Sequence, residues 1–102
     1  MNTYVVTTQF LENYGTSYKE GAPRWKFKGG TDYIVTGLDR EQDAVAYVAA
    51  LCMQNNIQAK EFPISWTTYD EWLSNLPNDE EYRKFIMQTA VEVNPNKEAM
   101  AA

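Results

Sequence analysis

Apolar and polar residues alternate at the start of the chain, and this alternation predicts a β-strand over residues 3–11. Tyr4 and Val6 fall on one side of the extended chain, and Val5 falls on the other. β-Branched and aromatic residues dominate the segment, which favours a strand over a helix. Residues 12–23 follow with two Gly, a Pro, an Asn and a Ser, and they predict a long connecting loop.

The same alternation returns over residues 24–36 and predicts a second run of strand with one aromatic side and one basic side. The aromatic side carries Trp25 and Phe27, and the basic side carries Lys26 and Lys28. The pair Gly29-Gly30 interrupts this run. A glycine pair inside a strand pattern indicates a bulge, a bend or a tight turn between two shorter strands, and the sequence leaves these three open.

Helical spacing of apolar residues begins after Gly37 and predicts a helix that is capped by Asp39 and ends near Gln54. Cys52 falls on the apolar side of this helix, so we expect a small core residue there and not a nucleophile. Residues 57–66 predict a third strand. It is expected at a sheet edge, because Pro63 has no N–H to donate to a neighbouring strand.

Two successive capping patterns predict two further helices. Either Thr67 or Thr68 caps a short helix that Pro77 ends, and Thr68 with Glu71 is typical of a capping box. Asn78-Asp79-Glu80-Glu81 is the second capping pattern, with acidic residues in the first turn of the last helix. The apolar spacing extends that helix to about Val93.

The predicted order is therefore β-β-α-β-α-α. This order indicates a small single α+β domain over residues 1–93, with a largely antiparallel sheet of three to four strands and helices on one face. Residues 94–102 begin with Asn-Pro-Asn and end in small residues, and they predict a flexible C-terminal tail.

Composition excludes several kinds of active site. The 102 residues include no His and one Cys, so Ser–His and Cys–His pairs and a zinc site of His and Cys ligands are absent. No phosphate-binding loop or buried carboxylate pair is apparent. We therefore predict a protein that is not an enzyme and has no catalytic residue, metal or cofactor.

The start of the chain does not resemble a signal peptide, because it has neither a basic first segment nor a long apolar run. The longest apolar stretch, residues 44–53, is shorter than the roughly twenty residues that a membrane-spanning helix needs. We expect a cytoplasmic protein with no membrane partner.

Charge is uneven along the chain, although the net charge is −5. Residues 13–30 hold four Lys or Arg and one Glu, together with aromatic residues. Cations among aromatic rings are typical of surfaces that bind a protein partner or the phosphates and bases of a nucleotide. The alternative is an amphipathic strand with an aromatic core side and a solvated basic side. The predicted partner-binding residues of this segment are Tyr14, Tyr18, Arg24, Lys26 and Lys28.

An acidic cluster at the start of the last predicted helix is the second candidate contact surface. It consists of Asp79, Glu80 and Glu81, and it could meet a basic partner. The alternative is a structural role, since acidic residues in the first turn favour the helix dipole and can cap the helix.

Three stretches of the first half resemble a group of small uncharacterised proteins of tailed bacteriophages. The stretches are Thr8-Gln9-Phe10-Leu11-Glu12-Asn13-Tyr14-Gly15, Trp25-Lys26-Phe27-Lys28-Gly29-Gly30 and Gly37-Leu38-Asp39-Arg40. The resemblance covers roughly residues 3–52. It implies a phage origin and expression inside an infected bacterium, and no activity is known for the group.

These observations lead to one main hypothesis and two alternatives. The main hypothesis is a small acidic phage protein that binds and inhibits a host bacterial protein, such as an antiviral-defence factor, in the manner of an anti-CRISPR protein. The first alternative is a sponge for a nucleotide or for single-stranded nucleic acid, which would use residues 14–30. The second is an assembly protein, for which a homodimer is compatible with the sequence.

Overall fold

The computed structural model describes residues 2–16, 23–53 and 58–96. These residues form five strands and three helices. The strands make one mixed sheet, and the helices pack on it. The strands are β1 (Asn2–Thr16), β2 (Pro23–Phe27), β3 (Asp32–Leu38), β4 (Ala59–Thr68) and β5 (Val91–Val93). The helices are α1 (Glu41–Leu51), α2 (Tyr69–Ser74) and α3 (Glu80–Thr89).

The long strand β1 lies at the centre of the sheet. Its first half pairs with β3 and its second half pairs with β2, both antiparallel. β4 pairs antiparallel with β1 from Tyr4 to Glu12, which overlaps both of those pairings. β4 must therefore occupy one edge of β1, while β2 and β3 lie end to end along the other. β5 lies beside β3 and runs parallel to it.

The chain does not turn back at the glycine pair between β2 and β3, where Lys28 and Gly29 form a bulge. Hydrogen bonds to β1 continue through it: the Phe10 N–H donates to the Gly29 carbonyl at 2.7 Å, and the Lys28 N–H donates to the Phe10 carbonyl at 2.8 Å. Two consecutive residues thus oppose Phe10, which is the arrangement of a β-bulge. Gly29 has a φ of +100°, a conformation that residues with a Cβ rarely adopt.

Both faces of the sheet are covered by helices, because adjacent residues of β1 are both buried and point to opposite sides. Val6 packs with Val35 and with the α1 residues Ala44 and Val48 on one face. Val5 packs on the other face in a second cluster, whose members are Ile34, Trp72 and Leu76, with Ile86 and Ala90 against them. The α+β class is confirmed, but the prediction of helices on one face was wrong.

The sheet has five strands among the described residues, where the sequence predicted three to four. The apolar spacing placed Val93 at the end of the last helix, but α3 ends at Thr89 and Ala90 has extended backbone. Val91 and Val93 then lie in β5, where β-branched side chains suit a strand. Of the predicted tail, residues 94–96 are described, and the Asn96 side chain donates to the Gly37 carbonyl at 2.7 Å. Residues 97–102 lie outside the described residues.

The predicted helix starts are right for α2 and α3 and wrong for α1. The Thr68 hydroxyl accepts from the Glu71 N–H at 3.3 Å, and the Asp79 carboxylate accepts from the Tyr82 N–H at 2.9 Å. α1 has Arg40 at its N-cap, without a side-chain cap. Asp39 is not the cap because it belongs to the connection after β3, where its carbonyl accepts the Tyr4 hydroxyl at 3.1 Å. α1 ends at Leu51, and the predicted end at Gln54 lies outside the described residues.

β4 is an edge strand within the described part of the chain, as Pro63 indicated, since it pairs only with β1 there. It extends to Thr68, two residues beyond the predicted end of the third strand. Its register shifts between the pairs Thr7↔Ser65 and Thr8↔Pro63, so Ile64 is the extra residue of a second bulge. Among the described residues, no helix has the length and apolar character to cross a membrane.

Candidate functional site

One end of the sheet extends beyond the two buried clusters. The clusters take their β1 residues from Tyr4 to Val6, and after Thr8 no described residue of β1 is buried. The end consists of residues 10–16 of β1, β2 together with the following Lys28, and residues 59–62 of β4. We call it the distal ribbon.

The two faces of the distal ribbon differ in chemistry, because successive side chains of a strand point to opposite sides. The register pairs Glu12 with Lys26 on one face and Leu11 with Phe27 on the other. The cationic face carries Glu12, Tyr14, Arg24, Lys26 and Lys28. The aromatic face carries Leu11, Asn13, Trp25, Phe27 and Lys60. Tyr14 and Phe27 are each 58% exposed, so both faces present aromatic surface to solvent.

An open groove of about 590 Å³ lies on the distal ribbon. Its lining residues are Glu12, Asn13, Tyr14, Trp25, Lys26 and Lys28. The Lys28 ammonium lies 3.7 Å from the Glu12 carboxylate, and Glu12 is also the cross-strand neighbour of Lys26. One carboxylate therefore stands against two ammonium groups, and the groove keeps a positive charge.

On each face of the distal ribbon, one cation lies over an aromatic ring. The Arg24 guanidinium carbon is 5.1 Å from the Tyr14 ring centroid, and the Lys60 ammonium is 4.3 Å from the Trp25 ring centroid. Both distances are within the range of cation–π attraction. Each contact orders a long cationic side chain and leaves only the opposite face of the ring for a binding partner.

The structure brings together most residues that the sequence indicated for the basic surface. Tyr14, Lys26 and Lys28 line the groove, and Arg24 lies against Tyr14. Tyr18 lies outside the described residues. Lys60 was missed, because it joins this surface only through the pairing of β4 with β1, and no local pattern shows that pairing.

The acidic cluster lies elsewhere in the fold. Asp79, Glu80 and Glu81 are all exposed at the start of α3. α3 packs on the sheet through Ile86, against the buried cluster around Val5 and not against the distal ribbon. The Asp79 carboxylate caps the helix, as the structural interpretation predicted, whereas Glu80 and Glu81 remain available for a contact.

A polar cluster lies at the inner boundary of the distal ribbon, where Glu61 of β4 meets Thr8 of β1. The buried Thr8 hydroxyl donates to the Glu61 carboxylate at 2.6 Å and accepts from the Thr31 N–H at 3.0 Å. Burial, followed by the negative charge of Glu61 and a hydrogen bond to it, raises the pKa of the Cys52 thiol to about 11. Burial and the charge of Glu61 also raise the pKa of Tyr33. At neutral pH the thiol keeps its proton and is a poor nucleophile.

Cys52 is a buried core residue, as its position on the apolar side of α1 predicted. Within the residues that the structure describes, no three His, Cys, Asp or Glu side chains are grouped as metal ligands. Comparisons with models of protein families, with curated proteins and with solved structures find no match to this chain.

Proposed function

We propose that this chain is a non-catalytic binding protein that acts by covering part of a partner protein. The observation that carries the proposal is the groove of the distal ribbon, where Lys26 and Lys28 flank exposed aromatic surface. Arg24 and Tyr14 at its border belong to the residue types that dominate the energetics of protein interfaces. The positive charge of the groove favours an acidic patch on the partner.

A protein partner fits this surface better than a phosphate-bearing ligand does. The Glu12 carboxylate lies in the groove lining, where it would repel phosphate. The Arg24 and Lys60 side chains occupy one side of the Tyr14 and Trp25 rings, which halves the area for base stacking. Phe27 adds an exposed apolar ring on the opposite face, which suits a protein contact.

The resemblance of residues 3–52 to small phage proteins supports a more specific form of this proposal. The partner would then be a bacterial host protein, met in the cytoplasm of the infected cell. Occupation of its functional surface would inhibit it, and an antiviral-defence factor is the target class that this origin suggests. No step of this inhibition needs a cofactor or a catalytic residue.

The test is capture of a partner from a bacterial lysate, followed by measurement of its affinity for three variants. Lys26→Glu with Lys28→Glu should weaken binding by at least about tenfold, because two attractive charges become repulsive. Arg83→Glu with Lys84→Glu on α3 is the matched control, since it changes net charge equally and lies away from the distal ribbon. Circular dichroism should show both variants folded.

The third variant tests the acidic cluster. Glu80→Lys with Glu81→Lys leaves the Asp79 cap intact and should not alter the affinity. An affinity that falls in this variant and not in Lys26→Glu with Lys28→Glu would move the contact surface to α3. If all three variants bind the partner with the affinity of the unchanged chain, neither charged surface is the contact surface.

A nucleotide or single-stranded nucleic acid is the second candidate ligand, because Lys26, Lys28 and the aromatic residue Tyr14 line the same groove. Thermal unfolding with a panel of nucleotides and with oligo-dT tests it. A ligand at 100 times its dissociation constant adds about 2.7 kcal/mol to the free energy of unfolding. For a chain of this size, that raises the midpoint by about 10 °C. A rise of that size, lost in Lys26→Glu with Lys28→Glu, would favour this candidate over a protein partner.

A further inference from the structure

The outer edge of β2 has no neighbouring strand among the described residues, since β2 pairs only with β1 there. The Lys28 N–H donates to the Phe10 carbonyl, and hydrogen-bonding direction alternates along an antiparallel strand. The backbone groups of Lys26 and Arg24 therefore point towards β1. Those of Trp25 and Phe27 point outwards and can pair with a further strand.

The side chains along β2 define what that further strand would contain. Arg24, Lys26 and the following Lys28 lie on the cationic face, while Trp25 and Phe27 lie on the aromatic face. A strand that pairs with β2 places its own alternate side chains beside these two sets. Opposite charges and apolar pairs across neighbouring strands are stabilising, and like charges are not. An alternation of acidic and apolar residues is complementary to β2 on both faces.

A second copy of this chain is a poor occupant of the same edge. Pairing of β2 with another β2 would bring the cations of the two copies together on one face. Lysines and prolines on edge strands are a common means of preventing such pairing, and β2 begins with Pro23 and carries Lys26. The positive charge thus selects against self-association and in favour of an acidic segment from another protein.

The other open edges suit strand addition less well. The Thr8 N–H points towards Thr31, on the β3 side of β1 and away from β4. Pro63 lies opposite Thr8, so the backbone nitrogen of Pro63 points away from β1, to the outer edge of β4. Proline has no hydrogen to donate there, and the bulge at Ile64 further disrupts that edge. β5 has three residues, which is short for a partner strand.

We propose that β2 binds an extended segment of the partner by strand addition, and that this segment alternates acidic with apolar residues. This inference rests on the proposed function, in which the distal ribbon is the partner-binding surface. The N–H and carbonyl groups of Trp25 and Phe27 bond to the backbone of the segment. Its acidic side chains lie beside Arg24 and Lys26, and its apolar side chains lie beside the two rings.

The experiment uses the whole chain and a labelled peptide of alternating Glu and Val, with a Lys and Val peptide as the matched control. Fluorescence anisotropy should show saturable binding of the Glu peptide at micromolar to millimolar concentration. The affinity for the Lys peptide should be lower by at least about tenfold. Lys26→Glu with Lys28→Glu should reverse the preference. Added salt should weaken binding of the Glu peptide to the unchanged chain.

Hydrogen exchange measured by NMR distinguishes strand addition from binding through side chains alone. Saturation with the Glu peptide should slow exchange of the Trp25 and Phe27 amides, and the Lys26 amide, which already faces β1, should change little. Absence of binding at millimolar peptide, or binding without slower exchange at Trp25 and Phe27, would overturn the inference. A captured partner that depends on Lys26 and Lys28 but leaves those two amides unprotected would overturn the strand addition and leave the proposed function intact.

Discussion

Glu61 shows how a single residue can govern the chemistry of its neighbours. Its carboxylate accepts the Thr8 hydroxyl at 2.6 Å, which satisfies a polar group that is almost completely buried. Burial and, after it, the same negative charge raise the pKa of both Cys52 and Tyr33. Glu61 therefore supports the fold and adds to the effect of burial on the pKa of the nearby thiol.

The raised pKa of Cys52 predicts a loss of stability in alkaline solution. In the unfolded chain the thiol ionises near its ordinary pKa of 9.0, whereas in the folded chain it keeps its proton up to about 11. The contribution of the protonated thiol to the free energy of unfolding is therefore complete below pH 9 and is lost as the pH rises towards 11. By linkage it amounts to about 2 kcal/mol. Urea unfolding between pH 8 and 11 should show this fall, and Cys52→Ala should show a smaller one.

Glu61→Gln tests the electrostatic part of this shift, because glutamine retains an oxygen that can accept the Thr8 hydroxyl. We expect the pKa of Cys52 to move down towards its ordinary value, with burial still holding it above. The rate of alkylation by iodoacetamide as a function of pH measures it. An unchanged alkylation profile would mean that burial alone sets the pKa of the thiol.

At the scale of elements, the bulge between β2 and β3 places the distal ribbon. It lets one edge of β1 carry two strands in succession, so that β2 extends the sheet beyond the helices. Gly30 approaches β1 so closely that a Cβ there would lie 1.8 Å from the Thr8 carbonyl oxygen. Gly29 has open space around it and needs glycine only for its positive φ.

Gly30→Ala should therefore destabilise the protein more than Gly29→Ala does. The clash at Gly30 is with backbone, which must move, and we expect a cost of about 3 kcal/mol or more. Gly29→Ala meets only an unfavourable backbone conformation, which costs about 1 kcal/mol. Midpoints of urea unfolding for the two variants provide the comparison. Equal costs would show that the strand after the bulge can move away from Thr8.

Helix starts were predictable to the extent that their signals are local. Thr68 and Asp79 hydrogen-bond to N–H groups three residues ahead, so sequence alone could identify them. Asp39 has the right residue type, but the Tyr4 hydroxyl of the neighbouring strand β1 donates a hydrogen bond to its carbonyl within the connection to α1. A residue-type preference worth about 1 kcal/mol can be outweighed by such a tertiary contact.

At the scale of the whole molecule, the two buried clusters share the strands β1 and β3. Val5 and Val6 are adjacent in the chain and fully buried in different clusters. Loss of β1 from either cluster would also remove it from the other. We therefore expect the two faces of the sheet to unfold together.

Two reporters can test this cooperativity, one in each cluster. Labelling of Cys52 reports the α1 side, and the fluorescence of Trp72, in a Trp25→Phe and Trp66→Phe background, reports the α2 side. Val5→Ala should cost about 2 kcal/mol and shift both urea midpoints equally, although Val5 belongs to the cluster of Trp72. Val6→Ala is the matched variant on the opposite face. A shift confined to the nearer reporter would show that the two clusters unfold independently.

Local patterns in the sequence determined the α+β class, most strand positions, two of the three helix starts and the grouping of cations with aromatic rings over residues 14–30. These features depend on neighbouring residues, whose spacing and hydrogen bonds are set by the period of a strand or a helix. Only the tertiary structure decided that helices cover both faces, that Val91–Val93 form a strand and that Lys60 lies over Trp25. Each of these depends on which strand lies beside which, and that pairing is set by burial summed over the whole chain.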